Sequence, residues 1–373
     1  MRVTTSVHTS EGGWSQEAVA DADWVLYFGA PEALTAERWE EIRARYPKAR
    51  ITGCTTGGEI VGSDVHDGSV VTAAVSFEKT RVSLAETNIG VASDSFAAGT
   101  RLAKELATPT LRCLFVLADG TRVNGSELVA GLRSVLGDGV IITGGLAGDG
   151  ARFGATQVGA DALPRIGVIA AVGLHGESLT IGHGSVGGWE VFGPERLVTK
   201  SAGSVLYELD GQPALDLYKR YLGKEAEGLP GTALLFPLCL RRSDSREADL
   251  VRTVVGVDEA TKSMTFAGDI PMGATVQLMR GSKQRLVEGA ARAAEDAAHG
   301  DSDSLAILVS CIGRKLFLGQ TVSDEVEAVC DVLGPKCATL GFYSYGELSP
   351  HSATGICELH NQTMTITTLS EAA

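Results

Sequence analysis

The sequence predicts an α/β (α+β) fold of mixed sheets covered by helices. Three observations carry this: a helix-strand-helix-strand order recurs three times, a glycine-rich loop closes each recurrence, and paired strands follow each loop. In the first recurrence SQEAVADA (15–22) suits a short helix and WVLYF (24–28) a buried strand. LTAERWEEIRARY (34–46) then suits an amphipathic helix with Trp39, Ile42 and Tyr46 on one face, before the strand ARIT. In the second, SFAAGTRLAKELA (95–107) is helical and LRCLFVL (111–117) is a strand. Asn124 and Glu127 form a capping pair for a helix carrying Leu128, Leu132 and Val135, and VIIT follows. The third has a helix over 283–298, the strand LAILVS (305–310), a helix with Val326, Val329, Cys330 and Leu333 at helical spacing, and the strand CATL.

The outer recurrences match in residue identity. PKARITGCTTGGEI (47–60) aligns without gaps with PKCATLGFYSYGEL (335–348), sharing the Pro, the Lys, two Gly and the Glu, which indicates duplication. The middle copy, IITGGLAGDG (141–150), is one residue shorter between its glycine and its acid, Asp149. The strand pairs SVVTAAVSF with RVSLAETNI, GVIAAVGL with SLTIGHG, and GICELH with TMTITTL read as β-hairpins. SAGSVLYELDGQPALDLYKRYLG (201–223) intervenes, with a helix from near Pro213, and places a domain boundary there: residues 1–200 and 201–373.

Composition narrows function. The chain of 373 residues is 44% hydrophobic and 21% charged, as a folded globular protein is, and its net charge of -14 repels nucleic acid and anionic lipid. The longest apolar run, near GVIAAVGL (167–174), falls short of the ~20 residues that span a bilayer. MRVTTSVHTSEGG lacks the apolar core of a signal peptide, so a cytoplasmic protein is expected. The seven cysteines show no C-x-x-C spacing, which predicts reduced thiols and neither a zinc ribbon nor covalently attached haem.

No common catalytic or nucleotide-binding motif is present. Candidate site residues therefore come from position. Glu59, Asp149 and Glu347 each follow a strand's carboxyl end, where ligands of α/β sheets bind; facing a pocket together and tying down their own loops are both open. Tyr343 and Tyr345 alternate along an extended segment and, with Glu347, compose an aromatic wall ending in a carboxylate, suited to an amphipathic or cationic ligand; core packing is the competing role. Cys311 follows a strand directly, and Arg314 sits in the loop CIGRKLFLG, where it can hold an anion. His183 lies among glycines in GHGSVGGW, which allow a flat ligand close approach with Trp189 nearby. It is the candidate haem ligand, against the alternative of an ordinary loop histidine.

TGCTTGGEI, GGLAGDG, GGWEVFGPERLVTKSAGSVLYELDGQPALDLYKRYLG, LVSCIGR, GFYSYGEL and LHNQTMTITTL together resemble FIST proteins from about residue 20 to 370, covering the amino-terminal and carboxyl-terminal FIST domains. The resemblance implies a non-enzymatic sensory protein of prokaryotic signal transduction that binds a small ligand. Some members are fused to an output domain, whereas no kinase or cyclase segment is seen here, so a separate partner such as a histidine kinase is expected. A stand-alone subgroup is described as haem-binding nitric oxide sensors, which makes haem the alternative, with His175 and Cys311 as further ligand candidates. A Cys311-dependent enzyme is the second alternative.

Overall fold

The computed structural model describes residues 1–241, 250–299, 304–352 and 354–372. Its body contains three six-stranded sheets with one shared plan. In each, a central strand (Trp24–Gly29, Leu111–Ala118 or Ser304–Cys311) runs parallel to the strand that follows its helix (Arg50–Thr55, Ile141–Leu146 or Cys337–Ser344). On its other side lies an antiparallel strand (Val70–Ser76, Val168–His175 or Met364–Glu371), and beyond that a second (Arg2–Thr9, Arg81–Asn88 or Leu179–Val186).

The remaining edge is filled by exchange. Val158–Ala160 of the second unit joins the first sheet, and Gly346–Pro350 of the third joins the second. Glu59–Val61 of the first unit joins the third sheet, closing the cycle.

Alternation along the central strands shows why they read as continuous apolar runs. Trp24, Leu26 and Phe28 meet Cys113, Phe115, Leu117, Leu305, Ile307 and Val309 in one core shared by all three sheets. The intervening residues face helices: Val25 and Tyr27 meet α1 (Ala36–Arg45), and Leu114 and Val116 share a core with α2 (Ser95–Leu106) and α3 (Gly125–Leu136). Each strand is thus buried on both faces.

A second body, the module, interrupts the third unit between the strand Leu179–Val186 and helix α5 (Lys283–Ala297), after α4 (Ala214–Leu222) in the chain. Its eight-stranded sheet has a core of its own built around Leu206, Leu215, Tyr218, Leu240 and Met264. Helices α6 (Ile312–Leu318) and α7 (Ser323–Leu333) complete the third unit.

The expected class of mixed sheets with covering helices is what the structure has. Several details differ. No helix forms over 15–22, where the side chains are mostly exposed and no apolar stripe could hold one against the sheet. The paired strands are present with their short turns, but the two members of each pair enter different sheets. A turn signal fixes the chain reversal and leaves the pairing partner open. Other neighbouring strands do form hairpins, among them Glu59–Val61 with Asp64–His66 and Gly346–Pro350 with Cys357–His360. CIGRKLFLG is helix α6 rather than a loop. GHGSVGG begins within a strand, so His183 pairs with Thr367 instead of occupying a loop. The expected boundary at 200 falls inside the strand Glu190–Ala202.

Candidate functional site

The duplicated loops hold their carboxylates in equivalent cages. Glu59 accepts hydrogen bonds from Thr56 Oγ1 (2.5 Å), Ser69 N (3.1 Å) and Ser69 Oγ (2.8 Å). Glu347 accepts them from Ser344 Oγ (2.7 Å), Thr363 N (3.2 Å) and Thr363 Oγ1 (2.8 Å). Both carboxylates are fully buried, and loss of hydration pushes Glu59 up to about 7 and Glu347 up to about 8 against these bonds. They tie loops to the strands that follow them.

In the middle unit Asp119, not Asp149, takes this part. It accepts from Thr121, Thr156 and Gly167 N (2.6 Å), just ahead of the strand Val168–His175. Asp149 instead receives the Tyr345 hydroxyl and the backbone N–H groups of Gly154 and Ala155. Asp119 escaped the sequence reading, although its place at the end of LRCLFVLA was a usable signal.

Arg314 and Tyr343 belong to a buried network with a residue the sequence reading missed, Glu325 of α7. Glu325 accepts from Arg314 Nε (2.9 Å) and Nη2 (2.7 Å), Tyr343 OH (2.9 Å) and Ser310 Oγ (3.1 Å). Arg314 also donates to the carbonyls of Gly187 and Leu286. Its guanidinium is fully buried and engaged, so it is not placed to hold an anionic ligand. These two carbonyls lie on the chain entering the module and on the helix leaving it, which makes Arg314 a pin across both connections.

A cavity of about 350 Å³ opens between body and module, at the carboxyl ends of the strands Leu111–Ala118 and Ser304–Cys311. From the body come the loop 120–124, Phe153, Cys311, Ile312 and Tyr345; from the module come Ser204, Thr253, Val255 and Phe266. Of the residues singled out from sequence, Tyr345 and Cys311 reach it, whereas Glu59, Asp149, Arg314, Tyr343 and Glu347 do not line it. The supposed wall of Tyr343, Tyr345 and Glu347 is therefore divided, because the chain bends at Tyr345 between two strands that enter different sheets.

Phe153 stacks on Tyr345 with ring centroids 4.6 Å apart and takes a left-handed backbone (φ 48°), a conformation an aromatic residue rarely adopts. Tyr345 OH meets Phe153 N at 3.1 Å. Opposite, Thr253 is 3% exposed and its Oγ1 has no hydrogen-bond partner among the described residues. The Cys311 thiol is pushed well up, first by burial and then by the nearby Glu347 charge, so it is a poor nucleophile.

Neither histidine expected to hold haem is placed for it. His183 borders a space of only about 30 Å³, and burial lowers its basicity. Its flanking glycines serve packing: a Cβ at Gly182 would lie 2.0 Å from Ala297 O, and one at Gly184 2.0 Å from Ala293 O, both on α5. Trp189 donates to Gln362 O (3.0 Å) and packs on Phe317. His175 has both ring nitrogens engaged, by Ser83 Oγ (2.7 Å) and Thr108 Oγ1 (3.0 Å). Among the described residues no cluster of three or more His, Cys, Asp or Glu is arranged to hold a metal ion, and no helix is long and apolar enough to cross a membrane.

Comparison with known proteins finds a FIST N domain over residues 23–212 and a FIST C domain over 214–350. No curated protein matches the sequence. Among solved structures, a cyanuric acid hydrolase from A. caulinodans is similar over 95% of this chain and 91% of its own, at 7% identity and a TM-score of 0.34, too slight a likeness to carry any argument. With both domains in order along most of its length, the chain belongs to the FIST family of signalling sensor domains that bind small ligands.

Proposed function

We propose that the cavity between body and module is the sensory site, and that a small organic molecule bound there is the signal. The observation that carries this is Thr253 Oγ1, buried without a partner on the cavity wall. The cavity lies in the usual size range of ligand pockets, at the strand ends where α/β sheets bind ligands. A ligand touching Thr253 and Tyr345 at once bridges the two bodies. It shifts their arrangement only by binding one arrangement better than another. Helix α6 supports such coupling: Ile312 at its start lines the cavity, and Arg314 two residues on pins both module connections. The output is a separate signalling partner, of which a histidine kinase is the leading class on the family's role in signal transduction.

The test is a thermal-shift screen of small organic metabolites, with hits repeated on Thr253→Val. A ligand that stabilises the chain and weakens about tenfold in the variant is expected, the value of one well-made buried hydrogen bond. Hits indifferent to both Thr253→Val and Phe153→Ala would place the ligand elsewhere.

A further inference from the structure

We infer that the ligand is an organic anion with a flat apolar body. This rests on the cavity being the ligand site and names the chemistry that the site selects. Arg122 is the only charged side chain on the cavity's described wall. It is exposed and has no hydrogen bond or ion pair among the described residues.

Three carboxylates beside lining residues are already committed. Asp119 is held by Thr121, Thr156 and Gly167, Asp149 by Tyr345, Gly154 and Ala155, and Asp269 by Asn124 Nδ2 (2.9 Å). None of the three lines the cavity.

The net charge of -14 opposes an anion at long range, but salt screens that field beyond about 8 Å. Contact with Arg122 therefore decides. The rest of the ligand is set by the other walls. Phe153 stacked on Tyr345 offers an aromatic face, Leu146 and Phe266 add apolar surface, and Thr253 Oγ1 supplies one hydrogen bond to the ligand's polar edge.

The experiment titrates the full chain with three probes of one skeleton, 2-naphthoate, 2-naphthamide and 2-naphthylmethylamine, by ligand-observed NMR at low and high salt. The carboxylate is expected to bind about tenfold tighter than the amide, a gap typical of one charge-assisted contact at a partly exposed site. Arg122→Gln should shrink that gap to about twofold without changing the melting temperature, and high salt should narrow it as well. If the amide or the amine binds as tightly as the carboxylate, while Thr253→Val weakens all three, the cavity stands as the site and the charge selection is overturned. If none of the three binds the wild-type chain, both the site and its chemistry are refuted.

Discussion

The Arg314–Glu325 pair offers a quantitative test of how the body holds the module. Glu325 accepts four hydrogen bonds in a place with no exposure, and Arg314 donates to it and to two backbone carbonyls. Glu325→Met leaves a buried guanidinium with carbonyls as its only partners. Removing one member of such a pair costs about 3–5 kcal/mol. Two carbonyls stay bonded to Arg314, which puts the expected loss near the lower end, at about 3 kcal/mol. Arg314→Met leaves the Glu325 carboxylate supported by Ser310 and Tyr343, for a similar loss of about 3 kcal/mol. In the double variant no charge is buried, and the remaining penalty is two hydroxyls and two carbonyls short of a partner, partly offset by apolar contact. The double variant should therefore be less destabilised than the sum of the singles by at least about 2 kcal/mol. Urea unfolding followed by tryptophan fluorescence measures all three, since Trp24 is fully buried in the core shared by the three sheets. Additivity to within about 0.5 kcal/mol would refute the account of the network as a coupled unit.

Three further outcomes are expected. Gly184→Ala sets a Cβ against Ala293 O of α5 and should cost about 1–3 kcal/mol by forcing helix and strand apart; a variant as stable as wild type would show that the glycine is not there for packing. Glu347 keeps its proton up to about pH 8 in the folded chain, while the unfolded chain releases it near 4.5. The stability this contributes is complete below about pH 4.5 and is lost as pH rises toward about 8, so Glu347→Gln should flatten that part of the stability–pH curve, and an unchanged slope would contradict it. Asn124→Ala removes the cap that accepts from Ser126 N and Glu127 N, together with the Asp269 bond, and should cost about 1 kcal/mol in thermal unfolding; no loss would mean that the cap is idle.

The central strands were legible because both faces are apolar and their length is short, and α1, α2, α3, α5 and α7 because their buried positions keep helical spacing. The exchange of strands between units was not. Val158–Ala160 and Glu59–Val61 are three residues long, too short for a pattern to indicate a partner, and their place is decided by where the body leaves an edge open. The cages around Glu59 and Glu347 followed from the duplication, since Thr56 and Ser344 stand at matching positions three residues before the acid. Glu325 was hidden because an acid in the first turn of a helix ordinarily faces water; its spacing from Val329, one turn on, was the available sign. Thr253 left no trace in the sequence, because its place on the cavity wall comes from the module resting against the body.

The most direct measurement is the crystal structure of the chain with a ligand recovered from the thermal-shift screen. The account predicts density between body and module, within hydrogen-bonding distance of Thr253 Oγ1 and against the Phe153 and Tyr345 rings. Density at any other place, with this cavity left to solvent, would contradict it.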